Sequence, residues 1–88
     1  MRVIDLRGLP CPEPFMTFVK KAYVMEPGEA KVIVDDPACF RLIVAYAPEL
    51  DCEVVKTSTR DGVYEVVIRK VTGANGAGGE TPGVAGSP

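Results

Sequence analysis

The sequence predicts an α+β two-layer sandwich, ordered β-α-β-α-β-β, with a mixed four-stranded sheet and both helices on one face. Three observations lead there. Two apolar patterns of helical period alternate with short β-branched runs, breaker residues delimit each run, and Arg60-Asp61-Gly62 joins the last two strand-like segments as a hairpin turn. Strand-helix-strand units favour parallel neighbours and right-handed crossovers, which brings both helices to the same side of the sheet.

Val3 to Leu6 is a short strand, and a helix follows over Phe15 to Met25. Phe15, Phe18, Val19, Ala22 and Tyr23 form its apolar stripe, with Lys20 and Lys21 off it, and Pro27-Gly28 stops it. Ala30 to Val34 is β-branched, flanked by breakers and too short for a helix, so it reads as a strand. Asp36-Pro37 opens the second helix, with Asp36 as N-cap and Pro37 at the first helical position. Cys39, Leu42, Ile43 and Tyr46 make its expected buried face, and Pro48 ends it. Cys52 to Thr57 and Val63 to Lys70 are the last strands. In the final one Tyr64, Val66 and Ile68 are the expected core face.

The domain spans residues 1–71. Residues 72–88, TGANGAGGETPGVAGSP, are Gly, Ala, Pro and small polar residues without periodicity. Such a stretch buries too little apolar surface to offset its ordering entropy and is expected to be a disordered tail. A core of about 70 residues is near the lower size for a domain without staples, with ~5 kcal/mol of net stability. A net charge of -2 gives no electrostatic case for nucleic-acid binding, and none is expected. No apolar run approaches the roughly 18 residues that span a bilayer, and the N-terminus lacks the layout of a signal peptide. Three cysteines are an odd number without a secreted framework, so the thiols are expected to be reduced and the domain cytoplasmic.

Cys11 is the chemically informative residue. It lies in Gly8-Leu9-Pro10-Cys11-Pro12-Glu13-Pro14, between the first strand and the first helix. Pro12 pushes Cys11 out of helical backbone, and Pro14 fits only a first helical turn or the residues before it. A thiol there faces the N–H groups and partial positive charge of a helix N-terminus, which favours the thiolate. The dipole contributes ~0.3–1 kcal/mol, less than one unit of thiol acidity. Its proline- and glycine-rich neighbours describe an exposed turn. Cys39 and Cys52, by contrast, fall at core-facing or strand-start positions and read as small buried hydrophobes.

What the chain lacks narrows the chemistry. It has no histidine, which removes Cys–His hydrolysis and His-containing zinc sites within one subunit. There is no CxxC pair, and Cys11 and Cys39 are too far apart in sequence to presume pairing. The cysteine spacings match no zinc pattern, no phosphate-binding glycine motif occurs, and neither metal nor cofactor is expected. A single nucleophilic thiol without base or dithiol partner suits carrying a group better than cleaving one.

Asp5-Leu6-Arg7-Gly8-Leu9-Pro10-Cys11-Pro12-Glu13-Pro14 followed by Lys20 resembles the TusA/SirA-like sulfur carriers, whose signature is a Cys-Pro-x-Pro motif opening the first helix. The similarity continues through Pro27-Gly28-Glu29, Asp35-Asp36-Pro37, Arg41 and Val67-Ile68-Arg69-Lys70, and covers residues 3 to 70. The resemblance implies the same two-layer fold and a persulfide on Cys11. Sulfane sulfur would come from a cysteine desulfurase or rhodanese-like donor and pass to an acceptor protein. Gly8, Pro12 and Pro14 would shape the presenting loop, and Glu13 would lie on the docking rim. Relatives serve tRNA thiolation, molybdenum-cofactor sulfuration or sulfur oxidation. Leu42, where an acidic residue is common, and Cys52, near a frequent histidine, depart from the tRNA-thiolating pattern. The alternative is a non-catalytic redox-sensing or regulatory module. A resolving thiol within disulfide reach of Cys11 would support it.

Overall fold

The computed structural model describes residues 1–71; the expected tail, 72–88, lies outside the described residues. The elements run β1 (Arg2–Asp5), α1 (Glu13–Val24), β2 (Gly28–Val34), α2 (Pro37–Tyr46), a 3-10 turn (Ala47–Leu50), β3 (Cys52–Arg60) and β4 (Val63–Lys70). They build the predicted two-layer fold around a four-stranded sheet of order β1-β2-β4-β3. β1 and β2 are parallel neighbours, whereas β4 is antiparallel to both β2 and β3. The second crossover therefore differs from the expectation of adjacent strands. It skips one position, and the hairpin returns β4 into the gap. No helix among the described residues is long and apolar enough to cross a membrane.

The hairpin turns on Asp61 and Gly62, both at positive φ (52° and 79°). That backbone matches the twist of a two-residue hairpin loop. β3 runs to Arg60, beyond the expected Thr57, and carries a bulge where its register shifts between Val54 and Lys56.

One face of the sheet forms the core with the helices. Ile4, Val32 and Val66 align across three strands, and Ala30 sits opposite Ile68. Phe18, Ala22 and Ile43 cover them. The other face carries ion pairs among residues such as Val3 and Val67, with Arg69 bonded to Glu53 (2.9 Å) and near Glu29 (3.8 Å), and Lys31 beside Glu65 (3.6 Å).

The helices are rotated relative to the expected stripes. In α1 the buried residues are Pro14, Phe18 and Ala22, an i, i+4 row, with Phe15 and Val19 flanking it and Tyr23 exposed. Pro14 starts this row because α1 begins at Glu13, two residues before the expected Phe15. In α2 the row is Cys39 and Ile43, continued by Ala47, while Leu42 and Tyr46 stand outside it. Tyr46 instead packs edge-on against Phe15, with ring centroids 5.4 Å apart.

Lys70 ends β4 on the core face and is 3 % exposed. Its Nζ donates to the Ala22 carbonyl (2.6 Å) and the Tyr23 carbonyl (3.3 Å) at the C-terminal end of α1. The Ala22 carbonyl also accepts the Met25 N–H (3.3 Å), and both carbonyls lie at the negative end of the helix dipole, which the ammonium complements.

Candidate functional site

The parallel pairing of β1 with β2 positions the site. Asp5 is in register with Ile33, and the Leu6 N–H continues the ladder to the Ile33 carbonyl at 2.8 Å. Both strands thus end at one edge of the sheet, and the loops leaving them enter α1 and α2 side by side.

The first loop is fixed at several points. Arg7 donates to the Asp5 carboxylate from its backbone N–H (3.2 Å), Nε (2.9 Å) and Nη2 (2.7 Å). Those hydrogen bonds hold the Asp5 carboxyl below its ordinary range and raise the Arg7 guanidinium. Gly8 adopts a φ of 86°, and its N–H donates to Asp35 Oδ2 at 3.0 Å. This bond joins the first loop to the β2–α2 turn. Cys11 follows, half-buried, with a cis peptide bond to Pro12.

The start of α1 is more saturated than the sequence suggests. Pro14 has no N–H, the Glu13 N–H donates to the Pro10 carbonyl (2.9 Å), and the Met16 N–H to that of Pro12 (3.0 Å). Phe15 is left as the first-turn N–H without a backbone partner. Gly8 and Glu13 are exposed, Pro12 caps the helix and Pro14 is buried under it.

The second loop brings the residue that sequence reasoning set apart. Asp36 caps α2 as expected, accepting from the Cys39 N–H at 2.9 Å, and Pro37 opens the helix. Cys39 falls in the first turn, fully buried as expected, but it is bonded to Cys11. The two sulfurs form a disulfide across a separation of 28 residues, with Cα atoms 6.0 Å apart. Two expectations are corrected: Cys11 has a dithiol partner, and its sulfur is not an isolated exposed handle. The reason is topological. Two loops distant in sequence become neighbours because the strands before them are parallel and adjacent. Both cysteines following such strands was the available signal. Asp35, between them, was visible only as part of a helix start.

Asp36 completes the constellation, its carboxylate and the two sulfurs lying within 4.8 Å of one another. Cys52 is outside it, buried and free at the start of β3. Burial raises the Cys52 thiol above its ordinary value. An apolar groove between the helices is lined by Phe15, Met16, Val19, Lys20 and Tyr46.

A cysteine at the head of the first helix, on a two-layer α/β sandwich, defines a class of small thiol-bearing carrier domains. The family model described as Sulfurtransferase TusA matches residues 2–70. A relative described as sulfur carrier protein TusA, from Buchnera aphidicola subsp. Baizongia pistaciae, is 38% identical over 69 residues, covering 77% of this chain and 87% of its own. The crystal structure of the SirA-like protein from Desulfitobacterium hafniense superposes with a TM-score of 0.66 at 28% identity, covering 81% of this chain and 99% of that one. The chain belongs to the TusA family of sulfur carriers.

Proposed function

We propose that this protein carries sulfane sulfur as a persulfide on Cys11, taken from a desulfurase- or rhodanese-type donor and relayed to an acceptor protein. The observation that carries the reading is the placement of Cys11, half-buried, in a pinned loop at the head of α1. Its thiolate attacks the donor's terminal sulfur as in thiol–disulfide exchange, and the donor thiol leaves. Neither cofactor nor metal takes part in this step. The domain works in the cytoplasm, where a Cys11–Cys39 bond is transient rather than a permanent staple.

The test uses a Cys39→Ser variant, so that Cys11 stays a free thiol, incubated with a cysteine desulfurase and cysteine and then weighed intact. A gain of one sulfur atom is expected, and the Cys11→Ser/Cys39→Ser double variant should show none. Equal loading of the double variant would sink the reading.

The Cys11–Cys39 disulfide supports a second reading, a redox-sensing module. That module would change partner binding on oxidation and hold no transferable sulfur, so the same mass measurement separates the two.

A further inference from the structure

We propose that Cys39 is the resolving thiol of the Cys11 persulfide: it attacks the inner sulfur, expels hydrosulfide and closes the Cys11–Cys39 disulfide. The proposal rests on the persulfide reading of Cys11. Independent features of the site converge on it. The two sulfurs are within bonding reach, with Cα atoms 6.0 Å apart, in the range disulfides occupy. Cys39 has no exposed surface, so in the fold Cys11 is the sulfur it meets. The approach is also organised. Asp36 fixes the turn that carries Cys39, through the Cys39 N–H at 2.9 Å and the Phe40 N–H at 2.9 Å, and Asp35 holds the Cys11 loop through Gly8 at 3.0 Å.

The chemistry balances without an added oxidant. A lone pair of the Cys39 thiolate forms the bond to Cys11 Sγ. The bond from Cys11 Sγ to the sulfane sulfur breaks, and its electron pair leaves with the terminal sulfur as hydrosulfide. Cys39 is oxidised and the sulfane sulfur is reduced from the zero-valent state to sulfide. Attack on the terminal sulfur instead would place a persulfide on Cys39, which has no exposed surface from which to pass the sulfur on. Restoring the dithiol takes two equivalents of a thiol reductant. The first attacks the accessible Cys11 sulfur and expels the Cys39 thiolate, and the second frees Cys11 from the mixed disulfide. A loaded carrier that meets no acceptor is thereby emptied as hydrosulfide.

The experiment treats the reduced full-length protein, without oxygen, with inorganic polysulfide supplying one sulfane sulfur per Cys11, and reads both hydrosulfide and intact mass. Wild type should release hydrosulfide and end two hydrogens lighter than the dithiol, with Cys11 and Cys39 joined in one proteolytic peptide pair. Cys39→Ser should gain one sulfur, release only the hydrosulfide that loading itself expels, one equivalent fewer than wild type, and give no linked peptides. Cys39→Ala repeats the comparison if the serine variant misfolds, and the linked peptides in wild type need no variant. Wild type that keeps its sulfur as well as the Cys39 variants do overturns the resolving role and leaves the persulfide reading standing. Cys39 variants that fold yet gain no sulfur overturn both.

Discussion

The Gly8 N–H donates to the Asp35 carboxylate at 3.0 Å, tying the loop that carries Cys11 to the turn that launches α2. The bond spans 27 residues of sequence and adds to the strand pairing and the disulfide a third link between the two loops. Removing the carboxylate in Asp35→Ala should cost about 1 kcal/mol, as for a partly solvated hydrogen bond. The same amount weakens the preference for the Cys11–Cys39 disulfide about fivefold, read by titration against a glutathione redox buffer. An unchanged midpoint would show that the loops align without it.

Gly8 itself contributes through backbone freedom. Its φ is 86°, and a Cβ there would meet no atom within 4 Å. Gly8→Ala should therefore cost about 1–2 kcal/mol from the left-handed backbone alone. Urea denaturation measures it, and a larger loss would mean that the loop has moved.

The disulfide predicts a difference in stability between redox states. Closing a loop with a separation of 28 residues restricts the unfolded chain by about 3.5 kcal/mol. Urea midpoints of the oxidised and reduced protein should differ accordingly, and Cys39→Ser should match the reduced form in its insensitivity to reductant.

Lys70→Met tests the tie between the last strand and the first helix. The substitution keeps the apolar stem but leaves the Ala22 and Tyr23 carbonyls without their ammonium donor. A loss of about 2 kcal/mol is expected in urea denaturation, typical of hydrogen bonds to a charged group. Exchange of the amides in the last turn of α1 should accelerate more than exchange in β2.

Cys52 gives the pH dependence. Its thiol ionises near 9.0 in the unfolded chain, and burial holds the proton to higher pH in the fold. Above pH 9 the unfolded state sheds a proton that the native state retains, so stability falls as pH rises until the native thiol also ionises. It is fully present below pH 9. A Cys52→Ala variant should show a flatter profile over the same alkaline range.

Local patterns in the sequence were sufficient wherever the determining contacts were local. β4 was legible to both its ends, because Val66 and Ile68 alternate with solvent-facing residues and Asp61-Gly62 marks its start. Asp36 and Pro37 gave the start of α2 for the same reason. Helix faces were read less well. Tyr23, Leu42 and Tyr46 are apolar enough to extend a stripe, yet they lie a residue away from the row that meets the sheet. Lys70 was invisible as a core residue, since its burial depends on helix carbonyls 48 and 47 positions earlier. The Cys11–Cys39 pairing was hidden likewise. Each cysteine could be placed on its own element, but their meeting is a property of sheet order.

That order has a consequence for how the domain comes to exist. β4 is the last strand in the chain and lies between β2 and β3, hydrogen-bonded to both. A chain emerging N-terminus first therefore makes both cysteine-bearing loops well before the strand that completes the sheet beneath them. Until β4 inserts, β2 has an open edge and α1 lacks its Lys70 tether, and long-range pairings of this kind are slow to form. The final strand acts as a keystone: assembly of the sulfur site waits on the segment farthest from Cys11 in the described chain.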